Sequence, residues 1–240
     1  MTLLDAIEPT WPARRRFSDG PFVLRDGAGG GKRVSAASLT DTRLPTDAEL
    51  AKAEAKMREM GQTPMFSLAP DQQEFDAALA ARGYQVVDPT RVYHLPVEGF
   101  AGQQVPRVTA FAVWEPLAIM EDIWAEGGIG PARVAIMHRA KGAKTGILGR
   151  RDDTPAGAAF VALHGDVAML HALEVRARFR RRGLGRWMVV AAAQWAATQG
   201  ARTLCLLVTD ANAPANALYQ AMGFLAQPGY HYRVLQEDHP

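Results

Sequence analysis

One block of this chain occurs twice. Residues 63–84, TPMFSLAPDQQEFDAALAARGY, align without a gap to residues 203–224, TLCLLVTDANAPANALYQAMGF, at a constant offset of 140. Thr63 pairs with Thr203, Gly83 with Gly223 and Tyr84 with Phe224. Each block reads as a short apolar strand, a polar break and an amphipathic helix stopped by glycine. Each also follows a helix of its own that ends in glycine, at Gly61 and at Gly200. Self-similarity of this kind predicts two copies of one β–α unit, and the length suits two domains of about 120 residues. The polar stretch FAGQQVPR, residues 100–107, reads as the linker, so the expected domains are 1–103 and 104–240.

Around these blocks strands and helices succeed each other in mixed order, which predicts an α/β fold with an α+β mixed sheet. In the first half PFVLRDGAGGGKRVSAASL reads as two strands joined by a glycine-rich turn. Its GAGGG is followed by strand-like residues and no Lys-Ser/Thr pair, so it is read as a hairpin turn and not as a phosphate loop. Residues 46–60 form a helix with Thr46 or Asp47 as cap. In the second half VTAFAVWE is a strand, and PLAIMEDIWAEGG and PARVAIMHRA are helices separated by a break from Gly127 to Gly130. TGILGR, AGAAFVALH and VAMLHALEV then form an antiparallel meander. Residues 1–20, with Pro9 and Pro12, read as irregular.

Composition excludes several classes. Hydrophobic residues at 48% and charged residues at 22% are those of a globular protein, not a disordered one. The single cysteine, Cys205, rules out a disulfide framework and a multi-cysteine zinc site, and no metal is expected. No apolar run is long enough to span a membrane. The opening MTLLDAIEPTW lacks the pattern of a signal peptide, so a cytoplasmic location is expected. Net charge is only +2, but Arg176, Arg178, Arg180, Arg181, Arg182 and Arg186 crowd around two glycines.

That crowd lies in ALEVRARFRRRGLGRWM, the most informative stretch. A strand ends near Val175, a tight loop holds Gly183 and Gly185, and a helix begins at once. Glycine lets the backbone approach a ligand, and the first amides of a helix have no internal partners, so the arrangement suits an anion such as a pyrophosphate. RRRGLG, Arg180–Gly185, is similar to the Arg/Gln-x-x-Gly-x-Gly/Ala signature of the GNAT acetyltransferase superfamily. Downstream, NAPANALYQAMGF resembles that family's Asn-x-x-Ala-x-x-Leu-Tyr-x-x-x-Gly-Phe segment through Asn212, Ala215, Leu218, Tyr219, Gly223 and Phe224. The resemblance covers about residues 107–235 and leaves the N-terminal half as a degenerate GNAT-like copy.

The resemblance implies a GNAT-like acyltransferase fold, a tandem of two units, and acetyl-CoA as acetyl donor to a small-molecule or peptide amine. It places backbone groups of Leu173 and Val175 against the pantetheine arm, and Arg180, Arg181, Arg182, Gly183, Leu184, Gly185 and Arg186 around the pyrophosphate. Asn212 would sit near the cofactor arm, and Tyr219 would protonate the leaving thiolate. An ammonium has no lone pair, so the acceptor must lose a proton before attack. His171 and Glu174 border the expected reaction centre. Three residues apart on one strand, they are expected on opposite faces, with His171 sharing a face with Leu173 and Val175. A water relay is equally allowed. Trp124 and Glu126 are candidates for contact with the acceptor.

Two other classes compete. A non-catalytic acyl-CoA sensor would need the glycine loop but not Tyr219. A nucleic-acid binder would use the arginines, but near-zero net charge and no interleaved aromatics argue against it, and neither nucleic acid nor membrane is expected as a partner. In the N-terminal copy Leu79 stands where the other has Tyr219, and Gln72 where it has Asn212. The stretch directly before its long helix, TDTRLPTDAEL, has no glycine where the other copy has Gly183 and Gly185, so it is expected to bind no cofactor and to serve a structural role.

Overall fold

The computed structural model describes residues 3–40 and 43–236. A 3₁₀ turn over Leu3–Ala6 leads into α1 (Ile7–Thr10), then β1 (Arg15–Asp19), β2 (Phe22–Asp26), α2 (Lys32–Ser35) and β3 (Ser38–Leu39). The first copy of the repeat follows as α3 (Asp47–Glu59), β4 (Met65–Leu68), α4 (Gln73–Ala81) and β5 (Gln85–Pro96). Next come β6 (Ala110–Val113), α5 (Ala118–Glu126), α6 (Pro131–Arg139), β7 (Lys144–Arg151), β8 (Thr154–His164) and β9 (Val167–Val175). The second copy is α7 (Leu184–Thr198), β10 (Thr203–Thr209), α8 (Ala213–Ala221) and β11 (Leu225–Val234).

The repeat seen in the sequence is a repeat in the fold. Helices α4 and α8, and the starts of β5 and β11, fall at the same offset of 140. Gly83 and Gly223 stop the two helices with φ of +84° and +83°, a conformation that only glycine adopts without cost.

The copies do not fold as two consecutive pieces. One compact unit is built from Met1–Pro12, Val92–Val208 and Ala213–Ala226; the other from Ala13–Arg91, Thr209–Asn212 and Gln227–Pro240. Each unit therefore ends on the strand that follows the other copy's helix. The first takes the end of β5 beside β10, and the second takes most of β11, which pairs antiparallel with β4 from His231↔Leu68 to Val234↔Met65.

In the first unit the strand order is β5-β10-β9-β8-β7-β6, a mixed sheet with β6 to β9 antiparallel and β10 parallel to β9. Helix α7 buries Leu184, Met188, Val189, Ala192, Ala193 and Ala196 against one face. The residues read as a linker are part of this packing. Phe100 is buried, and Gln194 Nε2 donates to the carbonyls of Phe100 (3.0 Å) and Gln103 (2.6 Å), so the stretch is tied along α7.

The second unit carries β4, β11 and the start of β5, with a three-stranded sheet β1-β2-β3. Its core holds Phe22, Leu24, Met57, Phe66, Phe75 and Tyr84. Two expectations fail at this end of the chain. GAGGG leads into the helical turn α2, and β2 pairs with β1, which lies within the stretch read as irregular. Among the described residues no helix is long and apolar enough to cross a membrane, and no group of three or more His, Cys, Asp or Glu is arranged to hold a metal.

Candidate active site

The site is organised by a bulge in β9. Its ladder with β8 runs from His164↔Val167 to Phe160↔His171, then slips to Ala158↔Glu174, so β9 carries one extra residue. Ala172 absorbs it at φ +51°, a left-handed conformation that costs a residue with a Cβ about 1–2 kcal/mol. Before the bulge, Ala168 and Leu170 face α7 while Val167 and Met169 face the other way. After it, Leu173 and Val175 pack on the α7 side and Glu174 lies on the opposite face. Counting by twos across this strand therefore fails. His171 and Glu174 share a face, and His171 does not share one with Leu173 and Val175.

Beyond the bulge β9 has an open edge. The parallel ladder to β10 ends at Leu206↔Leu170, although β9 continues to Val175 and β10 to Thr209. Arg176 N donates to Ala156 O at 2.9 Å on the β8 side. By alternation the amides of Leu173 and Val175 point to the open edge. On that edge the Val175 carbonyl accepts from Arg180 Nε at 2.7 Å.

Past Val175 the chain turns through a 3₁₀ segment over Ala177–Phe179 and reaches α7. Gly183, at φ +82°, occupies the N-cap position, and no side chain caps the helix. The first amides of α7 are thus left for a ligand or water, with the helix dipole adding positive potential. Gly185 follows; a Cβ there would reach Leu218 Cδ2 at 3.5 Å and Val175 Cγ2 at 4.0 Å. Leu184 is buried, so only its backbone belongs to the loop surface.

Several arginines of the cluster brace this loop. Arg180 Nη2 lies 3.6 Å from Glu174 Oε2, Arg182 pairs with Asp152 at 2.9 Å, and Arg186 donates to Gln103 Oε1 at 2.8 Å. Arg176 forks onto Glu126 with 2.9 and 2.7 Å contacts and also donates to Pro155 O at 3.0 Å. Arg178 lies over the Phe179 ring. A cleft of about 460 Å³ is lined by Glu126, Arg176, Ala177 and Arg178.

The sequence candidates fare differently. Tyr219 is buried in the first unit between Tyr93 and Phe224, with ring centroids 5.8 and 5.5 Å away. Burial pushes its phenol above the usual range, so it is a neutral hydroxyl at physiological pH. Tyr93 gave no signal in the sequence. It comes from β5, and its hydroxyl donates to Asn216 Oδ1 at 2.9 Å on α8. Asn212 belongs by contacts to the second unit and sits just ahead of α8, its amide bonded to Thr209 O at 3.0 Å.

His171 is closed in. Its Nε2 is 3.0 Å from the buried Thr10 hydroxyl, and its ring packs on Trp11, 4.9 Å away, and on Phe160. Glu174 is largely shielded, with a quarter of its side chain exposed (25%), and lies against Gly127, where an added Cβ would come within 2.6 Å of its Cδ. Burial raises its carboxyl above the usual range, and Arg180 opposes that rise. Trp124, expected to touch the acceptor, is fully buried, and its indole N–H donates to Ala172 O at 2.8 Å. Glu126 is exposed on the cleft and held below the usual carboxylate range by Arg176.

The matching helix of the other copy is closed at its start. At α3 the Thr46 hydroxyl accepts from Glu49 N at 3.3 Å, and the Glu49 carboxylate accepts from Thr46 N at 2.8 Å, a full capping box. Hydrogen bonds from Arg43 and Thr46 hold Glu49 at about 2. The unit's own carboxylate thus takes the place that an anionic ligand would need.

Comparison with known proteins agrees with this geometry. The profile of the Acetyltransferase (GNAT) family matches residues 115–224. No curated protein matches the chain. Among solved structures, a functionally unknown conserved protein from Staphylococcus epidermidis is similar at 12% identity and TM-score 0.68, covering 93% of this chain and 94% of that one. A GCN5-related N-acetyltransferase from Kribbella flavida gives 19% identity, TM-score 0.65 and coverage of 95% and 90%. A tandem GNAT protein from the clavulanic acid biosynthesis pathway gives 18% identity, TM-score 0.58 and coverage of 82% and 73%. At these identities the structures speak for the fold, and the profile speaks for residues 115–224. Together they show that this chain has the fold of GNAT proteins and that its residues 115–224 match the Acetyltransferase (GNAT) family.

Proposed function

We propose that the protein moves an acetyl group from acetyl-CoA to the amine of a small molecule or peptide, by direct attack in a ternary complex. The observation that carries this reading is the edge of β9 beyond Leu170, open towards β10 and leading into the uncapped N-terminus of α7. An extended amide-bearing arm can add to such an edge as a strand does, and a pyrophosphate suits uncapped helical amides. Arg181, Arg182 and Arg186 flank Gly183 and Gly185 in the sequence and are the arginines proposed to meet the pyrophosphate. When bound, the donor supplies an activated thioester.

The residues of the chain then divide the proton work. Glu174, on the face opposite α7 with its carboxyl raised by burial, takes the proton from the acceptor ammonium. Tyr219 gives its hydroxyl proton to the departing thiolate. The Val175 amide, directed to the open edge, meets the charge that develops on the acetyl oxygen. His171 is assigned no proton transfer, because Thr10 and Trp11 enclose it.

The test is an acceptor screen with acetyl-CoA, reading free thiol release, beside calorimetric titration with coenzyme A. Thiol release that depends on an amine supports the reading. Tight binding without release for any amine would instead assign an acyl-CoA sensor, and no binding would remove the α7 loop from the function.

A further inference from the structure

A bulge frees a backbone carbonyl from its ladder, and a shielded carbonyl needs another donor. At Ala172 that donor is the Trp124 indole, 2.8 Å away. Trp124 does not act alone. The end of α5 and the glycine after it meet the end of β9 and the residue after it at three points: Trp124 on Ala172, Glu126 on Arg176, and Gly127 against the Glu174 side chain. A Cβ at Gly127 would meet the Glu174 side chain at 2.6–2.9 Å, so the glutamate as placed lies against bare backbone.

We propose that Trp124 is a positioning residue: its N–H holds Ala172 in the left-handed bulge, and the bulge puts Glu174 on the face opposite α7. Without the bulge, regular alternation would send Glu174 to the α7 side and Leu173 away from it. The end of α5 thus sets where the acid–base carboxyl stands, rather than contacting the acceptor. The groups around that carboxyl are Arg180 at 3.6 Å from the loop after β9, the Gly127 backbone at the end of α5, buried His171 on the same face of β9, and uncharged Ala158 opposite on β8.

The decisive variant is Trp124→Phe, which keeps an aromatic ring and removes the donor. Two readouts need no activity: exchange of the amides of residues 171–176, and titration of the Glu174 carboxyl by NMR, identified through Glu174→Gln. We expect faster exchange across this stretch. The Glu174 titration should move to lower pH as the carboxyl gains water. A third readout rests on the acetyl-transfer reading. There kcat should fall roughly tenfold to a hundredfold with little change in KM for acetyl-CoA, and the acid limb of the pH profile should shift down with the carboxyl. A variant with lower melting temperature but unchanged exchange and unchanged Glu174 titration overturns the proposal. Should Trp124→Phe fail to fold, adding Ala172→Gly decides. Glycine adopts the left-handed bulge without cost, so the fold and the Glu174 titration should return, and a double variant that stays unfolded overturns the proposal. If the wild type acetylates no amine while the exchange and titration still respond, the positioning role stands and the proposed function falls.

Discussion

Burial acts on Tyr219 and Glu174 in the same direction but to different ends. It raises the phenol, which keeps a proton available to give, and it raises a carboxyl, which makes a better acceptor of one. The two groups lie on opposite sides of the sheet. Burial keeps the phenol protonated while making it a weaker acid, so its proton goes only to a strong base such as a leaving thiolate. Tyr219→Phe should leave the ring stack with Tyr93 and Phe224 in place and lower kcat by about 10²–10⁴, the usual loss for a missing acid. KM for acetyl-CoA should change far less. Steady-state kinetics at saturating donor check this, and pre-steady-state thiol release shows whether product release hides the chemical step. A variant with wild-type turnover in both would make the hydroxyl a bystander.

Helices α3 and α7 occupy equivalent places in the two copies and differ at their first turn. Thr46 and Glu49 close α3, whereas Gly183 leaves α7 open. Gly183→Asp should convert the second state into the first. No atom lies within 4 Å of a Cβ at this position, and aspartate tolerates a left-handed backbone better than most residues, so the fold should survive. Its carboxylate would repel an anion at the helix start, and coenzyme A affinity by calorimetry should be lost. The left-handed strain, about 1–2 kcal/mol, should lower the melting temperature by only a few degrees. This contrast was legible in the sequence, because glycines, caps and helical periodicity are local signals. The β9 bulge was not. An alanine at φ +51° has no signature, and one extra residue reverses every face assignment after it. Nor does periodicity say which strand a strand pairs with, so nothing in the sequence singles out Tyr93. The ties that hold β11 in the second unit were equally hidden. Asp76 on α4 binds Arg233 through 2.7 and 2.9 Å contacts and His231 at 2.7 Å. Hydrogen bonding from Arg233, more than from His231, overcomes burial and holds the Asp76 carboxyl at about 2. A carboxylate lowered by folding stabilises fully above its unfolded value, near 4, and loses that stabilisation as pH falls towards 2. Asp76→Asn should therefore be less stable than wild type at neutral pH, with the gap narrowing between about pH 4 and pH 2. Denaturant melts across that range check it, and a constant gap would show that the ion pairs contribute nothing.

At the scale of the molecule, exchanged strands mean that the stretch with the family motifs is not a complete folding unit. The first unit takes Val92 and Tyr93 from β5, and Val97 and Phe100 from the segment after it, all buried in its cores. It also takes Thr10 and Trp11, which enclose His171. Loss of a buried aromatic side chain alone costs about 3–5 kcal/mol. Removing Trp11, Tyr93 and Phe100 together would consume most or all of the 5–15 kcal/mol by which a domain is typically stable. Residues 104–240 expressed alone should therefore be insoluble or molten, with no acetyl transfer, even though they hold the glycine loop, Glu174 and Tyr219. Co-expression of residues 1–103 should restore soluble protein and activity, because the missing strand and the N-terminal segment can be supplied by a second chain. The restored complex and the intact protein should each bind one coenzyme A per pair of copies, since the capping box at α3 leaves the other helix start closed. Full activity from residues 104–240 alone would show that the first half is dispensable, and a titration with two equivalent sites would show that Thr46 and Glu49 do not close α3.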